Sequence, residues 1–253
     1  MLEIDDISFS YKNGQLILSN LSFEVGPGEI LGIVGPNGTG KTTLLKTVNR
    51  LLIPQSGLIT YDGQDMARLP LKALARLMAY VPQATDGFFS LKVIDCVMMG
   101  RLPYLRRGYA KKDLDQVFAI LEKLEIQELA FRDINKISGG QRQLVYIARA
   151  MAQQPKIIIL DEPTASLDIK NQLFILKVIT ELSRNEHYSV IMSLHDLNLA
   201  SMFCDRVLIL FGSRILAQGD PRDVLTEEII SRIYGIKTRI SLEDGYKHVR
   251  LLK

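Results

Sequence analysis

Apolar residues at two different spacings predict the secondary structure of this chain. Near the N-terminus, LEIDDISFSY and LSFEVGPGEI alternate between apolar and polar positions, as half-buried antiparallel strands do. The runs EILGIV (29–34) and IIIL (157–160) are continuously apolar, which is typical of parallel strands buried on both faces. The segment RVLILFGSRILAQG (206–219) has the pattern of a hairpin. The chain therefore combines parallel with antiparallel sheet.

Other segments show the helical spacing of apolar residues. TTLLKTVNRLL follows the first continuous run after a short loop, and QRQLVYIARAM (141–151) has an apolar face. A region from about 85 to 137 interrupts the sheet pattern and contains KKDLDQVFAILEKL (111–124). We interpret it as an inserted helical subdomain. The apolar face of its predicted helix consists of Leu114, Val117, Phe118, Leu121 and Leu124.

Length, charge and cysteine content limit the classes of protein to consider. The 253 residues are enough for one substantial core with a smaller subdomain. The net charge of +3 is spread along the chain, so we expect no nucleic-acid partner. Cys96 and Cys204 suit a reducing compartment rather than disulfides or a zinc site. The acidic N-terminus is unlike a signal peptide, and no apolar run approaches the roughly 20 residues that span a bilayer. We therefore expect a cytoplasmic protein without a transmembrane segment.

The loop between the first continuous run and its helix has the pattern of a phosphate-binding loop. GPNGTGKT (35–42) satisfies G-x-x-x-x-G-K-[ST] between a strand and a helix. Glycines let the backbone curl round a phosphate, so that N–H groups and the positive end of the helix face the anion. Lys41 would reach the β- and γ-phosphates, and the Thr42 hydroxyl would coordinate Mg²⁺. The alternative is a glycine-rich turn with a solvated lysine. The predicted nucleotide site contains Gly35, Pro36, Asn37, Gly38, Thr39, Gly40, Lys41, Thr42 and Thr43.

Two acidic residues end the second continuous run. Asp161 and Glu162 follow IIIL directly, at the carboxyl end of a strand, where ligands bind in open α/β sheets. Asp161 can join the Mg²⁺ shell, and Glu162 can orient an attacking water or accept its proton. The alternative is a solvated strand end, the usual place for two acids. Beside the phosphate-binding loop, the pair predicts hydrolysis of a nucleoside triphosphate.

A second helix start that contains glycines lies about twenty residues before the acidic pair. Ser138 is a good N-cap, and Gly139 and Gly140 would expose backbone N–H groups to an anion. SGGQ followed by ILDEPTASLD resembles the signature of the ATP-binding-cassette ATPases, and the resemblance covers nearly the whole chain. It implies an α/β fold: a P-loop NTPase (RecA-like) core with a mainly parallel sheet, a small antiparallel β subdomain and an inserted α-helical subdomain. Residues 1–253 would form one such domain, with its core at 1–84 and 138–253 and its helical subdomain at 85–137.

The resemblance also assigns roles that the local sequence leaves open. Tyr11 would stack on the adenine of ATP, Gln83 would contact Mg²⁺ and water, and His195 would contact the γ-phosphate. Without the resemblance, Tyr11 would be interpreted as a tyrosine at a strand end, Gln83 as a polar loop residue and His195 as a structural histidine. In the family, the signature of one protomer closes on the ATP held by the other, and a loop couples the two sites. The residues that match these two elements are Ser138, Gly139, Gly140, Gln141, Ser166, Leu167 and Asp168.

The resemblance further implies the partners. VIDCVMMGRLPYL (93–105) is similar to the corresponding segment of importer ATPases for ferric siderophores, haem and cobalamin. Such an ATPase is a homodimer on the cytoplasmic face of the membrane, beneath separate integral membrane permease subunits that a periplasmic or extracellular substrate-binding protein supplies. Arg101, Arg106 and Arg107 would either dock on the permease or form a solvated basic face.

Three other functions can be weighed against this interpretation. A soluble ABC ATPase of DNA repair or translation usually carries a long coiled coil or two linked cassettes, and the sequence shows neither. An exporter cassette would need transmembrane helices from another chain, and co-purification with an importer-type permease would exclude it. A module that binds ATP without hydrolysis does not account for Lys41, Asp161, Glu162 and His195 together. Substrate specificity would lie in other chains in every case.

Overall fold

The computed structural model describes residues 1–12, 14–83, 90–105 and 108–252, and within them twelve strands form three sheets. The strands are β1 (Leu2–Ser10), β2 (Leu16–Val25), β3 (Ile30–Val34), β4 (Ser56–Tyr61), β5 (Gln64–Asp65), β6 (Met78–Val81), β7 (Ile157–Leu160), β8 (Ser189–Ser193), β9 (Arg206–Phe211), β10 (Arg214–Gly219), β11 (Thr238–Glu243) and β12 (Tyr246–Leu251). The α-helices are α1 (Lys41–Val48), α2 (Leu71–Leu77), α3 (Val93–Met98), α4 (Lys111–Lys123), α5 (Gly139–Ala152), α6 (Ile169–Glu186), α7 (Leu197–Phe203), α8 (Pro221–Val224) and α9 (Glu227–Tyr234).

A six-stranded sheet with the order β10-β9-β3-β8-β7-β6 forms the centre of the fold. β3 and β6 to β9 are parallel, and β10 pairs antiparallel with β9 in the predicted hairpin. Every residue of β3, β7 and β8 is buried, as their apolar sequences predict. One face packs on α1 and on the antiparallel sheet, and the other packs on helices that include α3 to α7. The carboxyl ends of β3, β6, β7 and β8 therefore lie along one edge.

The N-terminal strands form a separate antiparallel sheet with the order β2-β1-β4-β5. Its apolar side chains share a core cluster with α1 and with one face of the central sheet. The alternating pattern read from the sequence is thus the pattern of a sheet with one buried face. The remaining sheet is the hairpin β11-β12, which packs against α7.

Helices fill most of the described sequence between β6 and α5. They include α3, α4 and short 3-10 segments at Met99–Tyr104, Gln127–Leu129 and Ile134–Lys136. The predicted amphipathic helix is confirmed as α4, with Val117 and Leu121 buried. Leu114 is 37% exposed and does not belong to the buried face. That face begins at Asp113 instead, because the carboxylate of Asp113 binds an arginine in the interior.

This arginine is Arg101, and the prediction that it lies on a solvated or docking surface is wrong. Arg101 is 4% exposed, and its Nε donates to Asp113 Oδ1 over 3.0 Å. Its Nη1 donates to the Ala152 carbonyl at the end of α5, and its guanidinium lies 4.0 Å from the centre of the Tyr104 ring. Sequence alone suggested exposure because most arginines are solvated, whereas here the guanidinium joins its own segment to Asp113 at the start of α4 and to the end of α5. Arg106 and Arg107 lie outside the described residues.

Replacing Asp113 with alanine should lower the free energy of unfolding by about 3–5 kcal/mol, because Arg101 would keep a buried charge without its partner. Urea unfolding monitored by circular dichroism measures this. The Ala110 N–H and then Arg101 hold the pKa of Asp113 below its ordinary value, so this contribution exists at neutral pH and is lost as the pH falls through that pKa. The double variant Arg101→Met/Asp113→Leu should regain part of the loss; an equal or larger loss would contradict the explanation.

None of the described helices is both long enough and apolar enough to span a bilayer. Both cysteines are free and buried.

Candidate active site

The phosphate-binding loop leaves β3 at the carboxyl edge of the central sheet and leads into α1. Gly35, Gly38 and Gly40 have φ values of +148°, +79° and +100°, in the region that side chains disfavour. A Cβ at Gly35 would overlap the Leu210 carbonyl, and one at Gly40 would lie 2.7 Å from the Ile17 side chain. Glycine is therefore required at both positions by conformation and by space, and the strand, loop and helix predicted here are confirmed.

Lys41, the first residue of α1, is 5% exposed. Its Nζ donates to the carbonyls of Gly35 and Pro36, over 2.8 and 3.1 Å, and so lies inside the curl of the loop. Burial lowers the pKa of Lys41, and the charges of Glu162 and Asp161 oppose that shift. The loop thus holds a cationic group beside the N–H groups at the start of α1, an arrangement suited to phosphate.

Asp161 lies at the carboxyl end of β7 and is 3% exposed. Its Oδ1 accepts hydrogen bonds from Thr42 Oγ1 over 3.1 Å and from Ser193 Oγ over 2.8 Å, and its Oδ2 accepts one from Tyr80 over 3.1 Å. Thr42 and Asp161, predicted as metal ligands, are thus in contact. Sequence reasoning missed Ser193 and Tyr80. The available signal was a hydroxyl within each of the apolar runs SVIMS and MAYV.

Glu162 connects three segments of the chain. Its Oε1 lies 2.5 Å from His195 Nε2, and its Oε2 accepts a hydrogen bond from Gln83 Nε2 over 2.9 Å. Its own N–H donates to Ser193 Oγ over 2.8 Å, with a φ of +50° that is unusual for a side-chain residue and typical of functional sites. Gln83, Glu162 and His195, predicted from distant parts of the sequence, are therefore direct neighbours.

These groups enclose an open cleft of about 530 Å³ above the phosphate-binding loop. The Tyr11 hydroxyl lies 3.2 Å from Thr43 Oγ1 at this cleft, and the Tyr11 ring, 43% exposed, packs edge-on against Phe9. An exposed aromatic ring at the rim is in the position that base stacking would require. The cleft is lined by Tyr11, Ile17, Asn37, Gly38, Gly40, Lys41, Thr42, Thr43, Gln83, Glu162 and His195.

The signature residues do not line this cleft. Ser138 caps α5 by accepting a hydrogen bond from the Gln141 N–H, and Gln141 Oε1 accepts one from the Ser138 N–H. Asp168 caps α6 in the same way through the Asn171 N–H. A Cβ at Gly140 would lie 3.0 Å from the Asn171 side chain, so the two helix starts are adjacent. The chain thus has a second cluster, which we call the signature face: 138–141, 167–168 and Asn171.

The donor set beside the loop fits Mg²⁺. Thr42 offers a hydroxyl and Asp161 a carboxylate, and Mg²⁺ prefers oxygen ligands, commonly one or two carboxylates together with substrate phosphates and water. A cage of three or more histidine, cysteine or acidic side chains does not occur among the described residues.

A buried lysine in a glycine loop at the carboxyl edge of a parallel sheet, next to paired carboxylates, is the site of a P-loop nucleoside triphosphatase. Comparison with known proteins identifies the family. The model of the ABC transporter family matches residues 18–165, more than half of the chain. The chain belongs to this family. It binds ATP, and the ATP-binding subunits of these transporters hydrolyse it.

Individual relatives agree with this assignment over most of their length. An uncharacterized ABC transporter ATP-binding protein of Methanocaldococcus jannaschii is 40% identical over 240 residues, which cover 95% of this chain and 93% of that protein. The petrobactin import ATP-binding protein of Bacillus anthracis is 37% identical over 96% of this chain and 89% of its own. A solved ABC transporter assigned to the metal-chelate type, in an inward-facing conformation, superposes with a TM-score of 0.85 and 28% identity, covering 99% and 96% of the two chains.

Proposed function

We propose that this chain is the ATP-hydrolysing subunit of a membrane importer for a chelated metal, of the ferric siderophore, haem or cobalamin kind. The observation that carries the hydrolytic part is the contact of Glu162 with both Gln83 and His195 at the cleft that Lys41 enters. The cargo class is supported by the relative that serves petrobactin import and by the structural neighbour of the metal-chelate type.

The geometry suggests a separate role in hydrolysis for each group at the cleft. The loop N–H groups and Lys41 bind the β- and γ-phosphates, and Tyr11 offers its ring to the adenine. Glu162 Oε1 and Oε2 are the acceptors that can hold the attacking water and take its proton. Gln83 and His195 orient that carboxylate, each through its Nε2 atom. Thr42 and Asp161, with Gln83, would hold Mg²⁺, which neutralises phosphate charge when bound.

The signature face explains why two copies would be required. Its residues at the start of α5 do not line the cleft of their own chain, and that cleft is open to solvent. A second copy of the chain can cover that opening with residues 138–141 and complete the anion site. ATP would then hold a homodimer together, and hydrolysis would release it.

A groove in the helical region is the surface we assign to the permease. It has a volume of about 530 Å³, and its first lining residue, Ser90, lies seven positions after Gln83 in the sequence. Phe131, at its wall, is 68% exposed and so offers an apolar ring to a partner. The groove is lined by Ser90, Leu91, Lys92, Phe131, Arg132, Asp133 and Lys136. The ATPase would sit on the cytoplasmic face of the membrane through this contact, and an external binding protein would deliver the cargo to the permease.

Replacing Phe131 with aspartate should weaken co-purification with the permease by about 30-fold or more, the effect of losing an interface hot spot. ATP hydrolysis by the isolated protein should stay unchanged, because Phe131 does not line the cleft. Ile53→Asp, at a residue 80% exposed outside the groove, is the matched control and should retain the permease. Equal retention by both variants would place the permease elsewhere.

Uptake of labelled ferric siderophore, haem and cobalamin by native cells tests the function as a whole. Cells in which Glu162→Gln replaces the normal chain should lose uptake of one of these cargoes. Unchanged uptake of all three would contradict the assigned cargo class, while phosphate release by the purified protein would still identify an ATPase.

A further inference from the structure

Asp161 is buried, and both oxygens of its carboxylate accept hydrogen bonds. Thr42 and Ser193 share Oδ1, and within the described part of the chain the Tyr80 phenol is the group that donates to Oδ2, over 3.1 Å. A carboxylate held at one oxygen can still turn about the bond to its Cβ, whereas a second contact on the other oxygen fixes its plane. Tyr80 supplies that second contact.

The position of Tyr80 in the sheet explains why its hydroxyl lies beside Asp161 Oδ2. β6 runs parallel to β7, and Tyr80 pairs with Ile159, two residues before Asp161. The half-buried ring packs into the core cluster beneath α1, so that the phenol is supported by apolar neighbours and only its oxygen meets the carboxylate. A phenol carries one O–H donor, and the ionised carboxylate can only accept, so Tyr80 is the donor in this bond.

Three bonds connect the segment 80–83 to the acidic pair. Besides the bond of the phenol, the Asp161 N–H donates to the Val81 carbonyl over 2.9 Å, and Gln83 Nε2 donates to Glu162 Oε2 over 2.9 Å. One short stretch of chain thus contacts both carboxylates. Of these three bonds, the one from Tyr80 contacts the Asp161 carboxylate, which also accepts a hydrogen bond from Thr42.

We propose that Tyr80 is a positioning residue, which fixes the Asp161 carboxylate with Oδ1 beside the Thr42 hydroxyl and thereby sets the affinity of the site for the divalent cation that accompanies ATP. Tyr80 itself contacts neither the cation nor the nucleotide in this scheme. The inference rests on the proposed function, since it concerns the same site. Without the phenol, Oδ2 would be a buried acceptor with no donor, and the carboxylate would turn to share its remaining donors.

The test is Tyr80→Phe, which removes a single oxygen and keeps the ring in the core. Binding of Mn²⁺, followed by electron paramagnetic resonance with a non-hydrolysable ATP analogue, should require an about five- to tenfold higher cation concentration for half-saturation. Affinity for the same analogue in the presence of EDTA should not change, because no nucleotide contact is lost. Tyr104→Phe is the matched control: it removes another half-buried phenol, which donates to the Gln153 carbonyl over 3.1 Å, far from the cleft lining.

The possible outcomes distinguish an error in the role assigned to Tyr80 from an error in the proposed function. A raised cation requirement in Tyr80→Phe, with Tyr104→Phe like the parent protein, supports the inference. An unchanged requirement in Tyr80→Phe, or an equal rise in both variants, overturns it. Failure of the parent protein to bind the analogue at all would instead overturn the proposed function.

Discussion

Replacing Glu162 with glutamine should lower ATP hydrolysis by about 100- to 10,000-fold, the loss expected when a general base is removed. Glutamine has nearly the same shape and keeps one of the two oxygens that contact Gln83 and His195. It cannot accept a proton from water at neutral pH. ATP should therefore still bind, and the chain should accumulate as an ATP-bound dimer, because hydrolysis is the step that would release it. Phosphate release measures the loss of hydrolysis, and light scattering measures the accumulation of the dimer.

A control for this substitution is Glu122→Gln, at an exposed residue on α4 that does not line the cleft. It should hydrolyse ATP at the normal rate and show no stable dimer. If Glu162→Gln were monomeric with ATP bound, the proposed closure of two protomers on the nucleotide would be wrong. If it hydrolysed ATP normally, Glu162 could not be the base.

Replacing Lys41 with alanine should reduce hydrolysis by about 100- to 1,000-fold, as the loss of a fixed charged donor to a transition state does. Unlike the change at Glu162, it should also weaken ATP binding, because Lys41 is the cation that the loop holds beside the bound phosphates. No ATP-dependent dimer should form. Fluorescence titration with an ATP analogue, together with phosphate release, distinguishes this pattern from that of Glu162→Gln.

Lys46→Ala provides the comparison for Lys41→Ala, since Lys46 belongs to the same helix and does not line the cleft. Both substitutions remove one positive charge from α1, so a general charge effect would act on both. Normal binding and hydrolysis in Lys46→Ala, with loss in Lys41→Ala, would assign the effect to the position inside the loop. Normal hydrolysis in Lys41→Ala would contradict the proposed role.

Much of the fold followed from local patterns. The strand, loop and helix around residues 29–48, the buried strand that ends at Asp161 and the amphipathic helix α4 all occur where the sequence predicts them. Each rests on interactions within a few residues, such as periodic burial or the positive φ that glycine tolerates. The burial of Arg101 escaped prediction, because it depends on how the distant end of α5 packs on the helical region. The exposure of Leu114 escaped it too, because the buried face of α4 begins at Asp113, the partner of Arg101.

The sequence by itself determined the phosphate-binding loop, the acidic pair at a strand end and, through resemblance, the wider set of site residues. Only the tertiary structure decided how these residues contact one another. Tyr80, Asp161 and Ser193 meet because the strand order β6-β7-β8 aligns three segments that lie about 80 and about 30 residues apart in the chain. Hydrophobic periodicity predicts that each strand is buried but carries no information on which strand lies beside it. The partners of a buried carboxylate are therefore decided by sheet order, a non-local property of the chain.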